Sequence, residues 1–170
     1  MDGLFVGNRM QLISILPSAF FEWCEGTALG AWLQQAMWGF ATIETIHIMA
    51  LAVLLGTMIV VDLRLLGLGL KQMPTAELSG LLAPWFWTSL VTMFVTGACL
   101  FTGEAVRLSK SGPFTYKMIF LLIAIAVHLS IHRTAVAAEL DGLALGKAAA
   151  WLSIVCWLGI ALAGRAIAFL

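Results

Sequence analysis

Charge is what this chain has least of. Only 11% of its 170 residues are Asp, Glu, Lys or Arg, the nine basic and nine acidic residues cancel, and 62% are hydrophobic at a mean hydropathy of +1.02. Soluble domains carry about a quarter charged residues, so this composition excludes an ordinary water-soluble globule. Without a basic surplus there is no electrostatic footprint for nucleic acid, and none is expected as a partner. Cys24, Cys99 and Cys156 form neither CxxC nor CxxCH. A thioredoxin-like redox pair and covalent c-type haem attachment are therefore unsupported, and Cys99 and Cys156 read as small apolar packing residues. HExxH, GxSxG, a Walker loop and a glycine-rich dinucleotide fingerprint are also missing. The opening MDGLFVGNRMQLISIL lacks the charge order and small-residue cleavage site of a secretory signal, and is expected to be retained.

What is present is apolar length. About 20 apolar residues span the hydrocarbon as a helix, because backbone N–H and C=O groups find no water there. Four runs qualify, at about residues 37–61, 84–103, 114–136 and 148–169. None shows the alternation of a barrel strand. The expected fold class is all-α, an integral membrane four-helix bundle forming a single transmembrane domain over residues 1–170. Short connections make consecutive helices antiparallel neighbours. Within an interfacial segment of about residues 10–32, PSAFFEWCEGTALGAW (17–32) mixes aromatic rings with Glu22 and Glu25 and predicts an N-terminal amphipathic helix lying in the interface.

Within the second run, Pro84 suits a first helical turn, and Trp85 and Trp87 beside it suit an interfacial aromatic belt that Trp38, Trp151 and Trp157 extend. Thr88, Thr92 and Thr96 recur every four residues and Gly97 follows, a small stripe that lets another helix, or a flat ligand, approach closely.

The ionisable residues inside these runs carry the chemistry. Glu44 and His47 are three apart and share a helix face, and Asp62 lies five turns from Glu44 on the same line. On the third run His128 and His132 are four apart, with Lys117 three turns earlier. All three histidines of the chain fall in predicted spans. A polar group in hydrocarbon is costly, so such residues mark a ligand, a proton path or a paired contact. Haem b is held by axial histidines between helices and needs no loop motif. Depth along the two parallel spans pairs His47 with His128 more closely than with His132. His132 is then left for a second haem, another metal such as copper, or a propionate. Glu44 is placed to accept the second ring N–H of His47. Arg133, Lys117 and Arg64 are candidates for propionates, Asp62 or lipid headgroups.

The string IETIHIMALAVLLGTMIVVDLRLLG, followed by a proline-containing loop, PWFW, TGACLF and FTYKMIFLLIAIAVHLSIH, resembles a family of uncharacterised four-helix bacterial inner-membrane proteins over about residues 32–132. Its signature elements fall here on Glu44, His47, Asp62, Arg64, Phe114 and Lys117, with His132 as the family histidine of the third helix. Analogy with small b-type membrane cytochromes then implies electron transfer or small-oxidant redox chemistry, with a quinone or redox protein as partner and a homo-oligomer in the bilayer. Those cytochromes spread four histidines where this chain has three, so one haem per subunit is the expected count. The alternatives are a proton or metal-ion transporter using a Glu/His/Lys relay, and a copper or zinc site at His128 and His132.

Overall fold

The structure, a computed structural model, describes residues 17–167, and every regular element among them is helical. Two short helices, α1 (Ser18–Glu25) and α2 (Ala28–Gln35), precede α3 (Gly39–Leu65), α4 (Thr75–Ser109), α5 (Gly112–Val127), a π-helical turn (His128–His132), α6 (Arg133–Ala137) and α7 (Ala144–Ile167). Helices α3, α4 and α7, together with the continuous rod 112–137, are long and apolar enough to cross a membrane. The four expected spans are therefore present. Residues 10–16 of the predicted interfacial segment lie outside the described residues, and its remainder forms two helices instead of one.

The second span differs most from expectation. Its helix begins at Thr75, behind Pro74, so Pro84 sits inside it and not in its first turn. The TAELSGLLA stretch is helix-forming enough to start earlier, and the proline removes only the bond to the Gly80 carbonyl. Helix α4 then breaks at Glu104, whose φ of −141° and ψ of 30° are non-helical. The α1–α2 pair docks at this break. Glu25 Oε1 accepts the Val106 N–H at 2.8 Å, and Gln34 Nε2 donates to the Gly103 carbonyl at 3.2 Å. Phe21 and Cys24 pack there on Ala105, with Phe101 and Val106 alongside.

On α3 the buried positions Ala50, Leu54, Met58, Val61 and Leu65 recur every three or four residues, the spacing of one helix face. They meet Phe86, Leu90 and Met93 of α4 and Cys156, Trp157 and Ile160 of α7 in one core, and Ala135, Val136, Ala149 and Ala150 in a second. Trp157, grouped by sequence with the interfacial tryptophans, is in fact core, only 2% exposed. Helix α3 packs on α4 and α7, and α5 packs on α7, but α4 and α5 scarcely touch along their backbones. Aromatic side chains bridge that seam: Phe101 stacks on Phe114 at 5.7 Å and Phe86 on His128 at 4.4 Å between ring centroids.

The end of α3 explains the DLRLLG string. Gly67, with φ of 79°, closes the helix, and the Gly67 and Leu68 N–H groups return to the Arg64 and Leu63 carbonyls, both at 2.9 Å. Arg64, predicted to serve a propionate, Asp62 or a headgroup, instead holds Asp141 in the α6–α7 loop at 2.6 Å and the Met73 carbonyl at 3.0 Å. Thr75 Oγ1 donates to the other Asp141 oxygen at 3.1 Å. One ion pair thus ties together the ends of three long helices.

Candidate functional site

His47 is buried on α3 and faces α4. Its Nδ1 lies 2.8 Å from Thr96 Oγ1. That hydroxyl has one proton, and it goes to the Thr92 carbonyl at 2.6 Å. In the tautomer in which Thr96 accepts from the imidazole, Nδ1 carries the ring proton and Nε2 keeps a bare lone pair. Nε2 is buried with no hydrogen-bond partner. The Thr88/Thr92/Thr96 stripe supplies this fixing contact, and Gly97 gives the ring its room: a Cβ there would sit 3.4 Å from His47 Cε1.

His47 lines a cavity of about 530 Å³ in the α4–α5 seam. The other walls are apolar apart from Lys117, and include Phe94, Phe101, Phe114, Leu121 and Trp157. His47 and Lys117, on different helices, thus share one chamber. Glu44 does not join them. It is exposed on α3, and Thr96 occupies the ring nitrogen assigned to it. A step of three residues turns the helix by 300°, enough to carry Glu44 off the edge of the face that α4 covers.

The helix-three histidines form a separate station. His132, 2% exposed, has its Nε2 2.8 Å from Oδ1 of Asp62, which is fully buried. Asp62 Oδ2 accepts from Ser153 Oγ of α7 at 2.8 Å. The π turn stacks His128 on His132, with centroids 5.3 Å apart and planes 30° apart. Single π turns inside α-helices are often found at functional sites. Hydroxyls on the outer side of this one find local carbonyls: Ser130 donates to Ala126 and Thr134 to Ser130. His128 Nδ1 is, with His47 Nε2, one of two buried side-chain polar atoms lacking a partner among the described residues. His128 lines a second cavity of about 270 Å³ whose walls include Ser79, Phe86, Trp87, His132 and Arg133.

The predicted pairing of His47 with His128 on one iron is not what the fold provides within one chain. Asp62 and His132 touch, so they share a depth. Fifteen residues separate His47 from Asp62 along α3, and four separate His128 from His132. At about 1.5 Å per residue the two imidazoles differ in depth by roughly 16 Å, far beyond the reach of a single iron. The offset in the sequence estimate came from taking the two helices to start level. No group of three or more His, Cys, Asp and Glu is arranged to hold a metal ion among the described residues. His132 has its Nε2 engaged with Asp62, which leaves the predicted copper or zinc site at His128 and His132 without a third ligand. Ser153 and Asp141 escaped the sequence reading, because nothing local marks a lone serine in a span or an acidic loop residue as a partner.

Four membrane-length helices enclosing two histidine-lined cavities define a small polytopic helical bundle with buried polar stations. The chain matches a family of unknown function, DUF6644, over residues 20–170 and belongs to it. No curated protein and no solved structure matches it.

Proposed function

We propose that this chain is a b-type haem protein of the bacterial inner membrane, carrying one haem b in the His47 cavity and transferring electrons. The observation that carries this reading is the buried Nε2 of His47, without a hydrogen-bond partner, on an imidazole that lines an apolar chamber. The volume lies within the roughly 300–1,000 Å³ usual for small-molecule sites, and the seam between α4 and α5 suits a flat ligand. In this reading His47 would hold the iron, its basicity and orientation set by Thr96. Lys117 answers a propionate. The Phe rings and Trp157 keep water away. Bound there, haem supplies one-electron redox chemistry.

Protein purified in mild detergent from haem-replete cells is expected to show a Soret band and reducible α and β bands, at one haem per chain. His47→Ala removes the pigment while the melting temperature of the apoprotein stays near that of wild-type apoprotein. A colourless wild-type preparation, or a fully pigmented His47→Ala protein, overturns the proposal.

One observation favours a second reading, a proton relay. A fully buried carboxylate is tied to a buried imidazole with another imidazole stacked above it. Its members are Asp62, His132 and His128, with Glu44 outside it. Proton flux into liposomes that disappears in Asp62→Asn would establish it.

A further inference from the structure

We propose that the smaller cavity, walled by α3, α4, the π turn and α6, binds the head group of a benzoquinone or benzoquinol entering from the lipid between α4 and the π turn. The inference rests on the haem reading only for where electrons go. The binding site stands on its own geometry.

At about 270 Å³ the cavity takes one substituted six-membered ring and is about half the size of the His47 chamber. Its polar side chains come from two different walls, Ser79 from α4 and His128 and Arg133 from the π turn and α6. His128 Nδ1 is buried and unpartnered. Ser79 Oγ makes no hydrogen bond among the described residues, and Arg133 adds a guanidinium. Thr57 also lines the wall, but its hydroxyl already donates to the Leu54 carbonyl at 2.8 Å. The remaining surface is aromatic and aliphatic, with Phe86 and Trp87 presenting ring faces and edges beside His128.

The depth of the site and what lies behind it narrow the ligand class. The cavity opens within a membrane-length bundle, so a lipid-soluble ring with an apolar tail reaches it, and Leu82, Ala83 and Leu129 on its wall suit the tail. A quinol hydroxyl donates to the His128 imidazole, or a quinone carbonyl accepts from it when the facing nitrogen is protonated. Behind His128 lie His132, Asp62 and Ser153, the last three joined by contacts of 2.8 Å. A ligand whose hydroxyl protons come and go fits a site with imidazole and carboxylate behind it, whereas a plain hydrocarbon tail has no use for either.

The test uses full-length protein in nanodiscs and a benzoquinone carrying a ten-carbon tail, followed by equilibrium binding and by quenching of tryptophan fluorescence. Saturable one-to-one binding is expected, weakened at least tenfold in His128→Leu and several-fold in Ser79→Ala, and unchanged in His47→Ala. His128→Gln, which keeps a polar nitrogen, retains part of the affinity and guards against misfolding. Binding lost only in His47→Ala, equal binding by wild type and His128→Leu, equal competition by decanol, or no binding overturns the proposal. A colourless protein that still binds through His128 refutes the haem reading while supporting this one.

Discussion

His132 Nε2 and Asp62 Oδ1 meet at 2.8 Å in the core, and Ser153 completes the contact on the second carboxylate oxygen. Helices α3, the π turn and α7 are thereby held in one register. Removing one member of a buried pair typically costs on the order of 3–5 kcal/mol. Asp62→Leu is expected to destabilise by that amount in detergent unfolding, as it strands His132 Nε2 and the Ser153 hydroxyl. His132→Leu in the same background should add much less than it costs alone, with a coupling of about 1–3 kcal/mol. Additive losses would show that the contact is energetically idle.

The Arg64–Asp141 pair sets an acid limit. The hydrogen bond from Arg64 holds the Asp141 carboxyl below its usual range, with Thr75 assisting. A depressed folded value means that the unfolded chain binds the proton more readily. The stabilisation is complete above the unfolded value of about 4 and is lost as pH falls through the lower folded one. Melting temperature should therefore drop at acid pH more steeply in wild type than in Asp141→Asn, which is less stable at neutral pH but flatter below about pH 4.

Two helix ends give substitutions of opposite sign. Gly67 and Glu139 both take a left-handed conformation, with φ of 79° and 49°, where a Cβ is penalised. Gly67→Ala should destabilise by about 1–2 kcal/mol, and Glu139→Gly should stabilise by up to about 1 kcal/mol. Denaturant unfolding of the two variants checks both signs.

Glu25 takes the N–H that the α4 break leaves open at Val106. In Glu25→Leu that donor has no acceptor, at a cost of about 1–3 kcal/mol. The α1–α2 pair should then loosen from α4. Limited proteolysis within residues 17–38 that speeds up while the four long helices stay protected is the expected result.

Gly97 keeps the His47 ring free. Gly97→Val puts branched carbon where a Cβ alone would lie 3.4 Å from Cε1. Pigment yield should fall well below wild type with helical content unchanged, read by absorbance and circular dichroism. Full pigment in Gly97→Val would place the ligand elsewhere.

By itself the sequence determined the class of fold. Apolar runs of spanning length, short connections and costly ionisable residues at helix depth follow from the absence of water for the backbone, and that constraint is local enough to read along the chain. His47, Lys117, His128 and His132 were legible as inward-facing for the same reason. Which of them meet was not. Pairing depends on the relative slide of parallel helices, and the Asp62–His132 contact sets it some 16 Å away from a His47–His128 match. Glu44 lost its role because Thr96 of another helix reached the imidazole first. The seam between α4 and α5, and with it the His47 cavity, exists because α5 packs on α7, a choice made by complementary surfaces of helices distant in sequence.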